Sequence, residues 1–172
     1  MPESSIENKI RWAKTRFAAY GSEILADSRL PGLLSDYREA VGDTRLLMIE
    51  SGVVELCGSC ASEEHGSCCA KWVEDWYDEW LLFINLLMGV EIEFDSDDAK
   101  SCSFAGPNGC RLIARYSFCV NFLCPTIERS VGSKTTEKLL IVSGTELFAG
   151  WVMEQELRKW VTAKERRYEE KR

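Results

Sequence analysis

The spacing of eight cysteines constrains this chain more than any other feature. They run C-x2-C-x7-C-C from Cys57 through Cys60, Cys68 and Cys69, then, thirty-two residues on, C-x7-C-x8-C-x4-C through Cys102, Cys110, Cys119 and Cys124. A chain of 172 residues is long enough to bury a core of its own, so it does not need staples merely to fold. The opening "MPESSIENKIRWAK" has no apolar stretch or small-residue cleavage site. The most apolar run, "WLLFINLLMGV", falls well short of the roughly twenty residues of a membrane span. The expectation is a cytoplasmic protein, where clustered cysteines hold metal or do redox work more often than they form disulfides.

The spacing then suggests how an ion would be held. Two residues between Cys57 and Cys60, one of them Gly58, would let the chain reverse so that both sulfurs face one ion. Cys68 and Cys69 are adjacent and cannot both reach one ion without strain, which assigns them to different ions, or leaves one as a buried thiol. Eight thiols make two four-cysteine sites or one polynuclear cluster. Neither half offers four comfortable ligands alone, so at least one ion should take cysteines from both halves. The expected set is Cys57 and Cys60, with Cys68 or Cys69 and a cysteine from 110 to 124. A thioredoxin-like reading of "VVELCGSCASEEHG" leaves six cysteines unexplained.

The segments "CGSCASEEHGSCC" and "GCRLIARYSFCVNFLC" resemble the YkgJ-like cysteine-cluster family, whose members are described as zinc- or iron-chelating. Its pattern is C-x2-C, a CC pair, then G-C-x-L with two further cysteines, and the likeness covers roughly residues 57 to 127. Two departures stand out: seven residues precede the CC pair, and Tyr116 follows Arg115 where the pattern has proline. The resemblance implies metal binding through Cys57, Cys60, Cys68, Cys69, Cys110, Cys119 and Cys124, with Cys102 the least securely matched. Some members are linked to flagellin lysine methylation. This chain has neither the glycine-rich methyl-donor loop nor the βαβ unit to carry one.

All-thiolate ligation suits zinc, and equally an iron–sulfur cluster. Lys71, Arg111 and Arg115 are close enough in sequence to offset thiolate charge, and also read as ordinary surface cations. His65, the one histidine, reads as solvent-exposed. The net charge of −7 provides no basic face for nucleic acid, and no polybasic patch marks a membrane surface. Three functions remain: a metal-binding protein with a structural or metal-handling role, an iron–sulfur enzyme or redox protein, and a helical partner-binding protein stapled by metal. A partner protein or a second copy would dock through the terminal helices.

The fold expected is mainly α in one domain, 1–172. Helical flanks at about 4–50 and 134–169 enclose an irregular cysteine-rich core at about 52–127, with at most a short strand pair. Ile6, Ile10, Ala13, Phe17, Tyr20 and Ile24 form one stripe of a first helix that Ser4 and Glu7 cap and Pro31-Gly32 stops. "LLSDYREAVG" reads as a short second helix ending at Gly42. "KWVEDWYDEWLLFINLLMG" reads as one helix with Trp72, Trp76, Trp80, Phe83 and Leu87 facing the core and Gly89 as its stop. "VEIEF" reads as a strand with Val90, Ile92 and Phe94 inward, "DSDD" as a solvated turn, and the last helix as bent or broken at Gly144 and Gly150.

Overall fold

The computed structural model describes residues 5–61, 68–94, 101–106 and 109–170. The Ser4 cap, His65 and the "DSDD" turn lie outside them. The described chain is mainly α: α1 (Ile6–Leu25), α2 (Leu30–Glu50), α3 (Val53–Ala61), a 3₁₀ turn (Lys71–Trp76), α4 (Glu79–Leu87), α5 (Ser117–Asn121), α6 (Pro125–Val131) and α7 (Ser133–Glu169). Its one sheet is the antiparallel pair β1 (Ala105–Gly106) and β2 (Gly109–Cys110), with Ala105 opposite Cys110.

The stripe of α1 packs on the chain's own core as its spacing predicts. Ile6, Ile10, Ala13 and Ile24 are buried, and Phe17 and Tyr20 pack against them. Around them close Leu82, Phe83 and Ile84 of α4, Leu34 and Tyr37 of α2, and Met153, Leu157 and Val161 of α7. A smaller cluster joins Met48, Val53, Ile127 and Leu139 under α3 and α6.

Several boundaries differ from the sequence reading, each for a local reason. Pro31 and Gly32 do not stop α1; they lie in the first turn of α2, where a proline loses no hydrogen bond. The break falls at Asp27, whose carboxylate accepts from the Arg29 and Leu30 amides at 2.8 and 3.1 Å. The second helix runs through Gly42 to Glu50, because its buried face continues to Thr44 and Met48. Gly150 does not break α7. It lets the helix approach α2: a Cβ there would stand 2.8 Å from Tyr37 Cζ.

The tryptophan helix is in fact two elements. The 3₁₀ turn ends at Trp76, Tyr77 is extended, and Asp78 caps α4 by accepting from the Leu81 amide at 2.8 Å. Trp80 packs on the core, but Trp72 and Trp76 are 52% and 38% exposed, so the expectation that all three form core fails. Gly89, with φ of 78°, ends the helix as expected. "VEIEF" buries Ile92 and packs Val90 and Phe94 inward with its glutamates outward, yet among the described residues it pairs with no strand.

Candidate functional site

Thiols from both halves of the sequence come together on these elements. Cys57 and Cys60 lie three apart on α3, which puts them on one face of a helix. The expected chain reversal is absent; Gly58 is helical, and a Cβ there would meet nothing within 4 Å. The Cys68–Cys69 pair is stitched to the second half by backbone. The Cys102 amide donates to the Cys69 carbonyl at 2.8 Å, and Ala70 forms an antiparallel bridge with Ser101. Cys110 is on β2, Cys119 on α5, and Cys124 at the N-cap of α6. None of the eight is joined in a disulfide.

The thiols form two neighbourhoods. Burial of its sulfur raises the Cys57 thiol to about 11, and the Cys68, Cys124 and Cys60 thiols push in the same direction. Cys57 is exposed as a residue, so solvent screens much of this effect. In the second neighbourhood burial again dominates, raising Cys119 and Cys102 each to about 11; Cys110 raises both, and Cys102 also raises Cys119. Cys69 belongs to this group. Its proton is held first by a hydrogen bond to Cys68, then by burial, with Cys119 and Cys110 close enough to act on it. The same bond from Cys69 holds Cys68 well below the ordinary thiol range. The adjacent thiols stay bonded to each other, with Cys68 close enough to act on Cys57 and Cys69 close enough to feel Cys119 and Cys110.

Tyr77 sets the spacing of the second group. Its buried hydroxyl is 4.0 Å from Cys110 Sγ and 3.9 Å from Cys119 Sγ, so the two sulfurs lie within about 8 Å of each other. Burial, followed by these two thiols, pushes the phenol far above its ordinary range, and it stays protonated. Sulfurs on a tetrahedral zinc, with bonds of about 2.3 Å, are closer together than that limit requires. As placed, no three His, Cys, Asp or Glu side chains among the described residues stand near enough to hold one ion.

Two polar devices hold the frame, and both rest on residues that periodicity does not mark. Asn85 is fully buried on α4. Its Nδ2 donates to the Leu81 and Ala114 carbonyls at 2.9 and 2.8 Å, and its Oδ1 accepts from the Ile113 and Ala114 amides at 2.8 and 3.0 Å. That pins the segment between Cys110 and Cys119 to the core. Buried Glu74 accepts from the Ser103 amide at 2.8 Å, while Lys71 donates to Ser103 Oγ at 3.0 Å and lies 3.5 Å from Glu74. This latch ties the turn after Cys69 to the turn after Cys102. A polar residue spaced like its apolar neighbours was the only available sign of Asn85, and nothing in the sequence marked Glu74.

The three cations play different parts. Lys71 is occupied by the latch. Arg111 donates to the Ser103 carbonyl and lies 3.6 Å from Glu93. Arg115 stands 3.4 Å from buried Glu146 and also lowers the Cys119 thiol, opposing the effect of burial there.

Beside the thiols runs an aromatic ladder. Trp72 meets Trp76 edge-on at 4.6 Å, Trp76 meets Phe118 at 5.1 Å, and Phe118 stacks on Phe122 at 4.5 Å. Comparison with protein-family models, curated proteins and solved structures finds no match for this chain. No helix among the described residues is long and apolar enough to cross a membrane.

Proposed function

We propose that this chain binds metal through two all-cysteine sets. One comprises Cys57, Cys60, Cys68 and Cys124; the other comprises Cys69, Cys102, Cys110 and Cys119. The observation that carries the reading is the joining of the two halves at the thiols: the Cys102 amide donates to the Cys69 carbonyl at 2.8 Å, and the Tyr77 hydroxyl stands 4.0 and 3.9 Å from Cys110 and Cys119 Sγ. Each set then draws on both halves of the sequence. The donors fit zinc in kind and in number: eight thiols make two closed four-coordinate sites with no position left for substrate. They do not yet converge, which suits sites that complete themselves as the ion arrives and the thiols lose their protons. Zinc bound this way supplies cross-linking rather than reaction chemistry. The resemblance of residues 57 to 127 to the YkgJ-like pattern supports the same reading.

Anaerobic titration of metal-stripped, reduced chain with Co²⁺ tests it. Thiolate-to-cobalt absorption should rise to a plateau at about two equivalents. Cys57→Ser and Cys102→Ser should each abolish one equivalent and leave the other. A plateau that neither variant changes would show that these thiols are not ligands. A brown chain holding iron and sulfide would replace zinc with a cluster in the same thiols.

A further inference from the structure

α7 is apolar on two opposite faces. One, carrying Leu139, Met153, Leu157 and Val161, is buried in the core. The other faces solvent: Ile141 is 64% exposed, Phe148 65% and Trp151 59%, with the Phe148 and Trp151 rings stacked at 6.1 Å. Along this outer face Glu137, Ile141, Gly144, Phe148, Trp151, Gln155 and Lys159 follow steps of four, three, four, three, four and four. These steps average about 3.7 residues, close to the 3.6 of a straight helix, so the seven positions line one face along the helix. A helix with one partner needs only one apolar stripe.

We propose that this outer face of α7 binds the same face of a second copy, as an antiparallel two-fold pair centred on Phe148. This goes beyond the metal reading and does not depend on it. The stripe is self-complementary only in that sense. With Phe148 on the axis, Trp151 of each copy lands within one residue of Gly144 of the other, so the largest residue of the stripe lies beside the smallest. Nothing lies within 4 Å of where a Gly144 Cβ would be, so the surface there is open to receive an indole. Ile141 then faces Gln155, and Glu137 faces Lys159, opposite charges at both ends of the seam. Lys159 is 70% exposed and bonds Glu156 at 2.8 Å on its own helix, an arrangement that leaves ammonium protons for a second carboxylate. A parallel pairing would set Glu137 against Glu137 and Trp151 against Trp151. The seam spans about 33 Å at 1.5 Å per residue. A groove of about 670 Å³ flanks its first turns, lined by Glu128, Arg129, Glu137, Leu140 and Ile141 among others, and in this register the second copy's Gln155 and Lys159 come to it. A two-fold contact of this kind closes on itself and makes a dimer, not a filament.

Sedimentation equilibrium of the full chain in reductant tests the proposal. The wild type should sediment at twice the 19.5 kDa chain mass at micromolar concentration. Phe148→Glu, which sets two carboxylates face to face on the axis, and Gly144→Leu, which fills the indole's place, should each weaken association by at least about tenfold. Both positions are exposed, so circular dichroism should be unchanged. Glu137→Lys and Lys159→Glu should each weaken the dimer a few-fold, and the double variant should regain it. A monomeric wild type, or a dimer that Phe148→Glu and Gly144→Leu both leave intact, overturns the proposal. A double charge swap weaker than either single variant overturns the antiparallel register.

Discussion

Replacing Asn85 by leucine should unsettle the thiol frame without touching a thiol. The two side chains are similar in size, so no large cavity forms and the cost is polar. Three groups of the 113–114 segment lose their partner: the Ile113 and Ala114 amides, bound at 2.8 and 3.0 Å, and the Ala114 carbonyl, bound at 2.8 Å. Leu81 keeps its helical bond, so its carbonyl loses little. A buried group left without a partner costs about 1–3 kcal/mol. Ala114 is fully buried, whereas Ile113 is only half-buried and its amide can recover a water. The sum is therefore about 3 kcal/mol, which for a chain of this size lowers Tm by roughly 6–12 °C. Urea denaturation of wild type and Asn85→Leu, both metal-stripped, measures it directly. Because the segment joins Cys110 to Cys119, the metal-loaded variant should also lose affinity in the second set. A change below about 0.5 kcal/mol would refute the reasoning, since it would mean those amides are satisfied some other way.

Other expectations follow from single contacts. Glu74→Ala should cost about 1–3 kcal/mol by leaving the Ser103 amide without its acceptor, whereas Glu74→Gln, which keeps an acceptor, should cost under about 1 kcal/mol by chemical denaturation. Gly150→Ala should cost about 1–3 kcal/mol because its Cβ would press into Tyr37 at 2.8 Å. Gly42→Ala, exposed within α2 with nothing nearby, should add up to about 1 kcal/mol. Burial raises the Glu146 carboxyl above 4.5 despite Arg115 at 3.4 Å. The folded state then binds the proton more tightly than the unfolded state, so this group's contribution to stability declines as pH rises from about 4.5 through the raised folded value. Glu146→Gln should remove that decline, read as the wild-type-minus-variant difference in unfolding free energy between acid and neutral pH.

How much of this was legible in the sequence depended on whether the signal was local. The α1 stripe came through because a 3.6-residue period over many turns states which face is buried. Pro31, Gly32, Gly42 and Gly150 misled because proline and glycine only permit a break; a cap such as Asp27 or a continuing buried face such as Thr44 and Met48 decides whether one occurs. The tryptophan run was misjudged for a similar reason. Asp78 starts a new helix inside an unbroken apolar period, and that turns Trp72 and Trp76 to solvent. At the thiols, spacing singled out the eight cysteines as candidate donors and set the adjacent pair apart. It misassigned Cys57 and Cys60 to a chain reversal, since an i, i+3 pair on a helix has the same two-residue gap. The roles of Asn85 and Glu74 were not legible, beyond the polar exception Asn85 makes in an apolar helix, because their partners are backbone groups some thirty residues away, which no periodicity encodes.

X-ray absorption at the zinc edge, with elemental analysis of chain purified under reductant and without chelator, tests the central claim most directly. The account predicts about two zinc ions per chain, each in an all-sulfur shell at about 2.3 Å. Less than about half a metal ion per chain, or a shell dominated by nitrogen and oxygen at about 2.0–2.2 Å, would contradict it.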